Sequence, residues 1–137
     1  MTGPGQPEKV QQPQKVAVDV IEYTQGQYIV REGDEGDCAY ILISGEVEIV
    51  KSNNAQGKEI VIAILGPNEI FGEMCLFEEE SRRSASVRVI SDRARVMAIS
   101  RTSFQKQIDE LPEGVRNIIR VLIQRLRKAD SRIVLLC

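Results

Sequence analysis

The chain has no histidine and no tryptophan in 137 residues. Losing histidine removes the commonest general base, most nucleophilic triads and most zinc sites together. Its three cysteines, Cys38, Cys75 and Cys137, are scattered and form no CxxC pair. That spacing argues against a disulfide framework and against a metal knuckle. No apolar run approaches the length of a membrane span, and Met1–Gln14 lacks the apolar core of a signal peptide. Basic residues are not in excess: 18 Lys and Arg stand against 20 Asp and Glu, a formal net charge of −2. A nucleic-acid surface would need the opposite balance. What remains is the composition expected of a cytoplasmic, metal-free, single-domain protein, with 42% hydrophobic residues to build a core.

Residues 1–15 are Gly, Pro, Gln and charge with little to bury, and read as a disordered N-terminal arm. Order is expected from residue 16. Val16, Val18 and Val20 alternate as a first strand reaching Ile21, and Tyr28-Ile29-Val30 is a short second one. Glu32–Asp37, with Gly33 and Gly36, reads as a solvated acidic turn. Ala39–Val50 is strand interrupted at Gly45, where a bulge or tight bend is expected. Lys51–Lys58 is a hairpin loop, Glu59–Leu65 a returning strand and Gly66-Pro67-Asn68 a turn. Ser86–Ile90 and Arg95–Ile99 follow, joined by Ser91-Asp92-Arg93. Short strands at this spacing indicate a small β-barrel or jelly roll over residues 16–100.

From residue 102 the pattern turns helical. Thr102 or Ser103 is placed to cap a helix from Phe104, which Leu111-Pro112 ends. Beyond it Val115, Ile119, Leu122, Leu126, Ala129, Ile133 and Leu136 repeat at spacings of 4 and 3, a heptad seam. A helix of about 24 residues would run about 36 Å. The seam points to a parallel two-stranded homodimer; a single amphipathic helix lying on its own barrel is the other reading. Ile118, Val121 and Ile123 form a second apolar line expected to pack on the roll.

The residues that carry chemistry lie in Phe71–Val87, FGEMCLFEEESRRSASV. Gly72 lets a ligand approach the backbone. Met74, Cys75, Leu76 and Phe77 are placed as the first turn of a helix, with amides free to meet an anion. Arg83 supplies a permanently charged planar fork, and Ser84 a hydroxyl. Glu73 repels phosphate but accepts from a sugar hydroxyl. Together they suit one ribose phosphate. On residue types alone, a loop salt bridge between Glu73 and Arg83 stays open. Glu78, Glu79 and Glu80 are consecutive, so they do not converge on a substrate, and no enzymatic activity is expected.

This stretch resembles the phosphate-binding cassette of cyclic nucleotide-binding domains. It carries Phe71-Gly72-Glu73 and Arg83-Ser84-Ala85-Ser86-Val87, and the spacing of ten from Glu73 to Arg83 is similar to that of the catabolite activator protein group. Arg82 stands where many relatives carry proline. The resemblance implies a mainly β fold with C-terminal helices: an eight-stranded jelly roll over 16–100 with the cassette at 71–87, then helices over 102–137. It implies a ligand site of Gly72, Glu73, Met74, Cys75, Arg83, Ser84 and Ala85. Ile62 would meet the base, and Ala129 and Asp130 would lie where relatives contact it. The expected ligand is cAMP, with cGMP the alternative. The chain then reads as a regulatory sensor that signals through its C-terminal helix to a protein effector, without binding DNA or membrane itself. A truncated ligand-binding domain of a transcription regulator and a ligand-free dimerisation scaffold are the competing readings.

Overall fold

The structure, a computed structural model, describes residues 18–53, 57–77 and 82–130. The expectations for the arm at 1–15, for Glu78–Glu80 and for Ile133 and Leu136 fall outside the described residues. Eight strands are described: β1 (Val18–Thr24), β2 (Tyr28–Val30), β3 (Cys38–Ser44), β4 (Val47–Asn53), β5 (Lys58–Leu65), β6 (Ile70–Phe71), β7 (Ser86–Val89) and β8 (Arg93–Ser100). A 3-10 turn covers Glu73–Leu76, and two helices follow, α1 (Arg101–Asp109) and α2 (Glu113–Asp130).

The strands form two antiparallel four-stranded sheets, ordered β1-β8-β3-β6 and β2-β7-β4-β5. This is the jelly roll that the strand spacing indicated. Period-two alternation sends one set of side chains between the sheets. Leu42, Val47, Ile49, Phe71, Val87, Val89 and Val96 are buried there, and Phe71 stacks on Tyr40 with ring centroids 5.2 Å apart. Gly45 makes the tight bend between β3 and β4. Its φ is +91°, and a Cβ would stand 2.3 Å from the Arg93 carbonyl oxygen, so no other residue fits without moving backbone.

Three local expectations are corrected. The described part of the first strand continues to Thr24 rather than ending at Ile21, because every residue from Val18 to Thr24 pairs with β8. The first helix starts at Arg101, not Phe104. Its cap is Ser100, in extended conformation, whose hydroxyl accepts from the Ser103 amide at 3.1 Å. Ser103 thus supplies the capped amide instead of the cap. Finally, the second apolar line of α2 does not lie on the roll: Ile118 is 62% exposed and Val121 is also exposed. α2 packs on α1 instead, and of that line only Ile123 is half-buried, facing α1. The seam residues Val115, Leu122 and Leu126 are exposed as well.

Candidate functional site

Gly72 begins the site. It leaves β6 with φ 71° and ψ 24° and caps the 3-10 turn. The left-handed geometry suits a residue without Cβ. This turn is one 3-10 turn rather than the opening of an α-helix. The Phe77 amide is committed to the Met74 carbonyl at 3.0 Å, so it is withdrawn from the set expected to face a ligand. Cys75 and Leu76 point inward against Ala39, with Phe77, Ile99 and Phe104 packed around them. The Cys75 thiol donates to the Gly72 carbonyl at 3.2 Å. Burial pushes that thiol up, against the pull of Arg83 and Arg101. Burial, with Asp37 second, pushes Cys38 up to about 11. Both thiols are therefore protonated at neutral pH and are not nucleophiles.

Arg83 is the centre. The residue is 7% exposed, yet among the described residues it forms no ion pair. Its Nη1 donates to the Gly72 carbonyl at 3.2 Å and its Nη2 to the Cys38 carbonyl at 2.7 Å. Its Cζ stands 5.8 Å from the centre of the Tyr40 ring. A guanidinium has five N–H donors; two are spent on carbonyls and the Cys75 thiol lies within reach of another, which leaves donors to spare. A buried cation without an opposite charge is costly. Such a cation has the charge and the donors to receive an anion from outside the chain.

The backbone of Arg83 is fixed from the acidic turn. The Arg83 amide donates to the Asp34 carbonyl and the Gly33 amide to the Arg83 carbonyl, each at 2.8 Å. Arg82 pairs with Glu35 as an isolated bridge, and its Nη1 donates to the Gly33 carbonyl at 2.9 Å. Glu32–Asp37 is therefore not merely a solvated turn: its backbone holds the arginine in register. Spacing along the chain hid this, because the partners lie 49 residues apart. Lys51 was also missed. It donates to the Ser84 carbonyl at 2.6 Å and lies 3.8 Å from Glu32. Ser86, buried, accepts from the Glu32 amide at 2.8 Å, while Ala85 is fully buried in the core.

Gly72, Glu73, Met74, Cys75, Arg83, Ser84 and Ala85 thus gather around one cradle, with Glu73 and Met74 half-buried in the 3-10 turn. Ile62 stands partly exposed on β5, at the edge of its sheet. Ala129 is exposed near the end of α2, and Asp130 is the last residue of that helix. The helix side of the cradle is connected differently. Arg101, the first residue of α1, donates from Nη1 to the Cys75 carbonyl at 3.0 Å. Beside it, a cavity of about 350 Å³ is lined by Leu76 and Phe77 of the cradle, Phe104 and Ile108 of α1, and Ile123 and Arg127 of α2. Among the described residues no group of three or more acidic, histidine or cysteine side chains is placed to hold a metal ion, and no helix is long and apolar enough to cross a membrane.

The family model of the cyclic nucleotide-binding domain matches residues 20–110, which include the roll, the cradle and α1. The cyclic AMP receptor protein of Thermus thermophilus is 38% identical over 114 residues, covering 83% of this chain and 51% of that protein. Human cGMP-dependent protein kinase 2 is 27% identical over 115 residues, covering 84% of this chain and 15% of that protein. The solved structure of the EAL enzyme Bd1971 in its halfsite-occupied form superposes with a TM-score of 0.72 at 36% identity, covering 83% of this chain and 99% of that one. The chain spans about half the length of the receptor protein, and much less of the kinase. With a matched model over most of its length and the glycine–glutamate–arginine cradle in place, the chain belongs to the cyclic nucleotide-binding domain family.

Proposed function

We propose that the chain is a second-messenger sensor that binds cAMP in the Gly72–Arg83 cradle and reports occupancy through α1 and α2. The observation that carries this reading is the Arg83 guanidinium, buried, bonded to two carbonyls and without an ion pair among the described residues. A cyclic phosphate supplies the missing charge, and Ser84 adds a hydroxyl donor. Glu73 takes the ribose 2′-hydroxyl, a role closed to it with phosphate because both are anions. Met74 and Cys75 contribute backbone, and Ala85 sets the floor by packing into the core. Ile62, Ala129 and Asp130 are the base-side candidates. Asp130 accepts from an exocyclic amino group, which adenine and guanine both carry, so it does not by itself choose between cAMP and cGMP. The name of the receptor protein, with its higher identity, favours cAMP; the kinase's name keeps cGMP as the alternative.

Signal leaves by a short route. Arg101 ties the start of α1 to the Cys75 carbonyl inside the cradle, and Phe104 packs with Leu76 and Phe77. A change in the 3-10 turn therefore acts on α1 directly, and the cavity beside it gives α1 and α2 room to repack. Ligand would shift the population between two placements of these helices. The seam of exposed Val115, Leu122, Leu126 and Ala129, with Ile119 half-buried among them, is then the surface for a second copy, with a protein effector downstream. The chain itself carries out no chemistry on the nucleotide. Calorimetric titration with cAMP, repeated with Arg83→Ala, tests the assignment: micromolar binding lost in the variant supports it, and equal heats from both proteins refute it.

A further inference from the structure

We infer that Gly36, in the turn between β2 and β3, is a positioning residue for Arg83, and that its missing side chain is the slot in which the ligand-binding guanidinium lies. This rests on Arg83 being the anion-binding group of the cradle. Gly36 is buried, and it does not have the positive φ of Gly33, Gly45 or Gly72. Its backbone therefore accepts an alanine without strain. The three nearest obstacles all belong to Arg83: a Cβ at Gly36 would stand 2.3 Å from Cζ, 2.4 Å from Nε and 2.7 Å from Nη2. Gly72 closes the slot from another side, where a Cβ would stand 2.5 Å from Nη1.

The contrast with Gly45 separates the two kinds of glycine. There the obstacles include the carbonyl oxygen of Arg93 and the Cα of Ala94, so substitution would move backbone. At Gly36 the three nearest atoms are the far end of one flexible side chain, so the guanidinium rather than the backbone is what moves on substitution. It has little freedom to stay. The turn holds the Arg83 backbone through Gly33 and Asp34, which fixes the Cα of residue 83 against the slot. A displaced guanidinium gives up the Gly72 and Cys38 carbonyls that aim it. The slot thus preorganises the fork: the ordering cost of the arginine is met in folding, before any ligand arrives.

The test is Gly36→Ala, alone and combined with Arg83→Ala, read by thermal unfolding, by calorimetric titration with cAMP and by the ¹⁵N–¹H signal of Arg83 Nε. The inference expects a melting temperature for Gly36→Ala within a few degrees of the parent, at least tenfold weaker cAMP binding, and no further loss of stability when the change is added to Arg83→Ala. It also expects a dispersed, slowly exchanging Arg83 Nε–H in the parent that moves to the solvent-exposed position in Gly36→Ala. Unchanged or tighter binding in Gly36→Ala overturns it. So does a stability loss as large in the Arg83→Ala background as in the parent, which would place the fault in the backbone. If the parent binds no cyclic nucleotide, the proposed function fails, and the Nε signal still decides the slot: an identical signal in parent and Gly36→Ala refutes it.

Discussion

Arg83 donates to the carbonyl of Cys38 at 2.7 Å, across 45 residues of chain. This bond joins the start of β3 to the segment that leads into β7, and makes the cradle part of the roll rather than a loop attached to it. Replacing Arg83 by lysine keeps the charge but loses the planar fork and at least one of the two carbonyl bonds. Affinity for the cyclic nucleotide should fall by about 1–3 kcal/mol, roughly fivefold to more than a hundredfold, measured as the ratio of dissociation constants by calorimetry.

Glu73 is assigned the ribose. Glu73→Ala should weaken cAMP while leaving a 2′-deoxy cyclic nucleotide at its already weaker affinity. Competition titrations with the two ligands read this directly; equal losses for both would remove the ribose role.

The Cys38 thiol gives a pH signature. Burial, with Asp37, raises it to about 11 in the fold from an ordinary value of 9.0. Between those values the unfolded chain releases a proton that the folded chain keeps. The stability tied to this thiol is therefore fully present below pH 9 and is lost as pH rises toward 11. Urea midpoints should fall across that window, and fall less in Cys38→Ser. The folded protein should also react with iodoacetamide at Cys38 more slowly than a free thiol does at pH 8.

Ser100 caps α1 from the end of β8. Ser100→Ala removes the acceptor of the Ser103 amide and should cost about 1 kcal/mol, seen as a lower urea midpoint with an unchanged slope. Because Arg101 follows immediately and ties α1 to the cradle, the same variant should also respond less to cAMP in any probe placed on α2.

Leu122, 56% exposed on the described chain, sits in the middle of the heptad seam. Leu122→Glu with Leu126→Glu should convert a dimer to a monomer by sedimentation velocity, with the melting of the roll little changed. A parent that sediments as a monomer would leave α2 to a different partner.

The roll and the cradle motif were legible because both are local. Alternation in Val47–Val50 and the turn at Gly66-Pro67-Asn68 mark strands within a few residues, and Gly72-Glu73 with Arg83-Ser84 lies in one stretch. What escaped was long-range. Nothing near Gly36 says that a guanidinium from position 83 fills its side-chain space, and nothing near Glu35 says that Arg82 pairs with it. The acidic turn was read as solvated for that reason. The start of α1 was misplaced because three hydroxyl residues, Ser100, Thr102 and Ser103, compete for the cap, and only the end of β8 decides among them. The apolar positions of α2 left the choice of surface to tertiary packing, which turned Ile118 to solvent and Ile123 toward α1.

The central claim is that a buried, carbonyl-bonded Arg83 awaits the phosphate of a cyclic nucleotide. Calorimetric titration of the purified chain with cAMP and then cGMP tests it most directly. The account predicts one-to-one binding per chain with a micromolar or tighter dissociation constant, tighter for cAMP, and abolished by Arg83→Ala in a protein that still melts cooperatively. No heat with either nucleotide, or binding that survives the loss of Arg83, would contradict it.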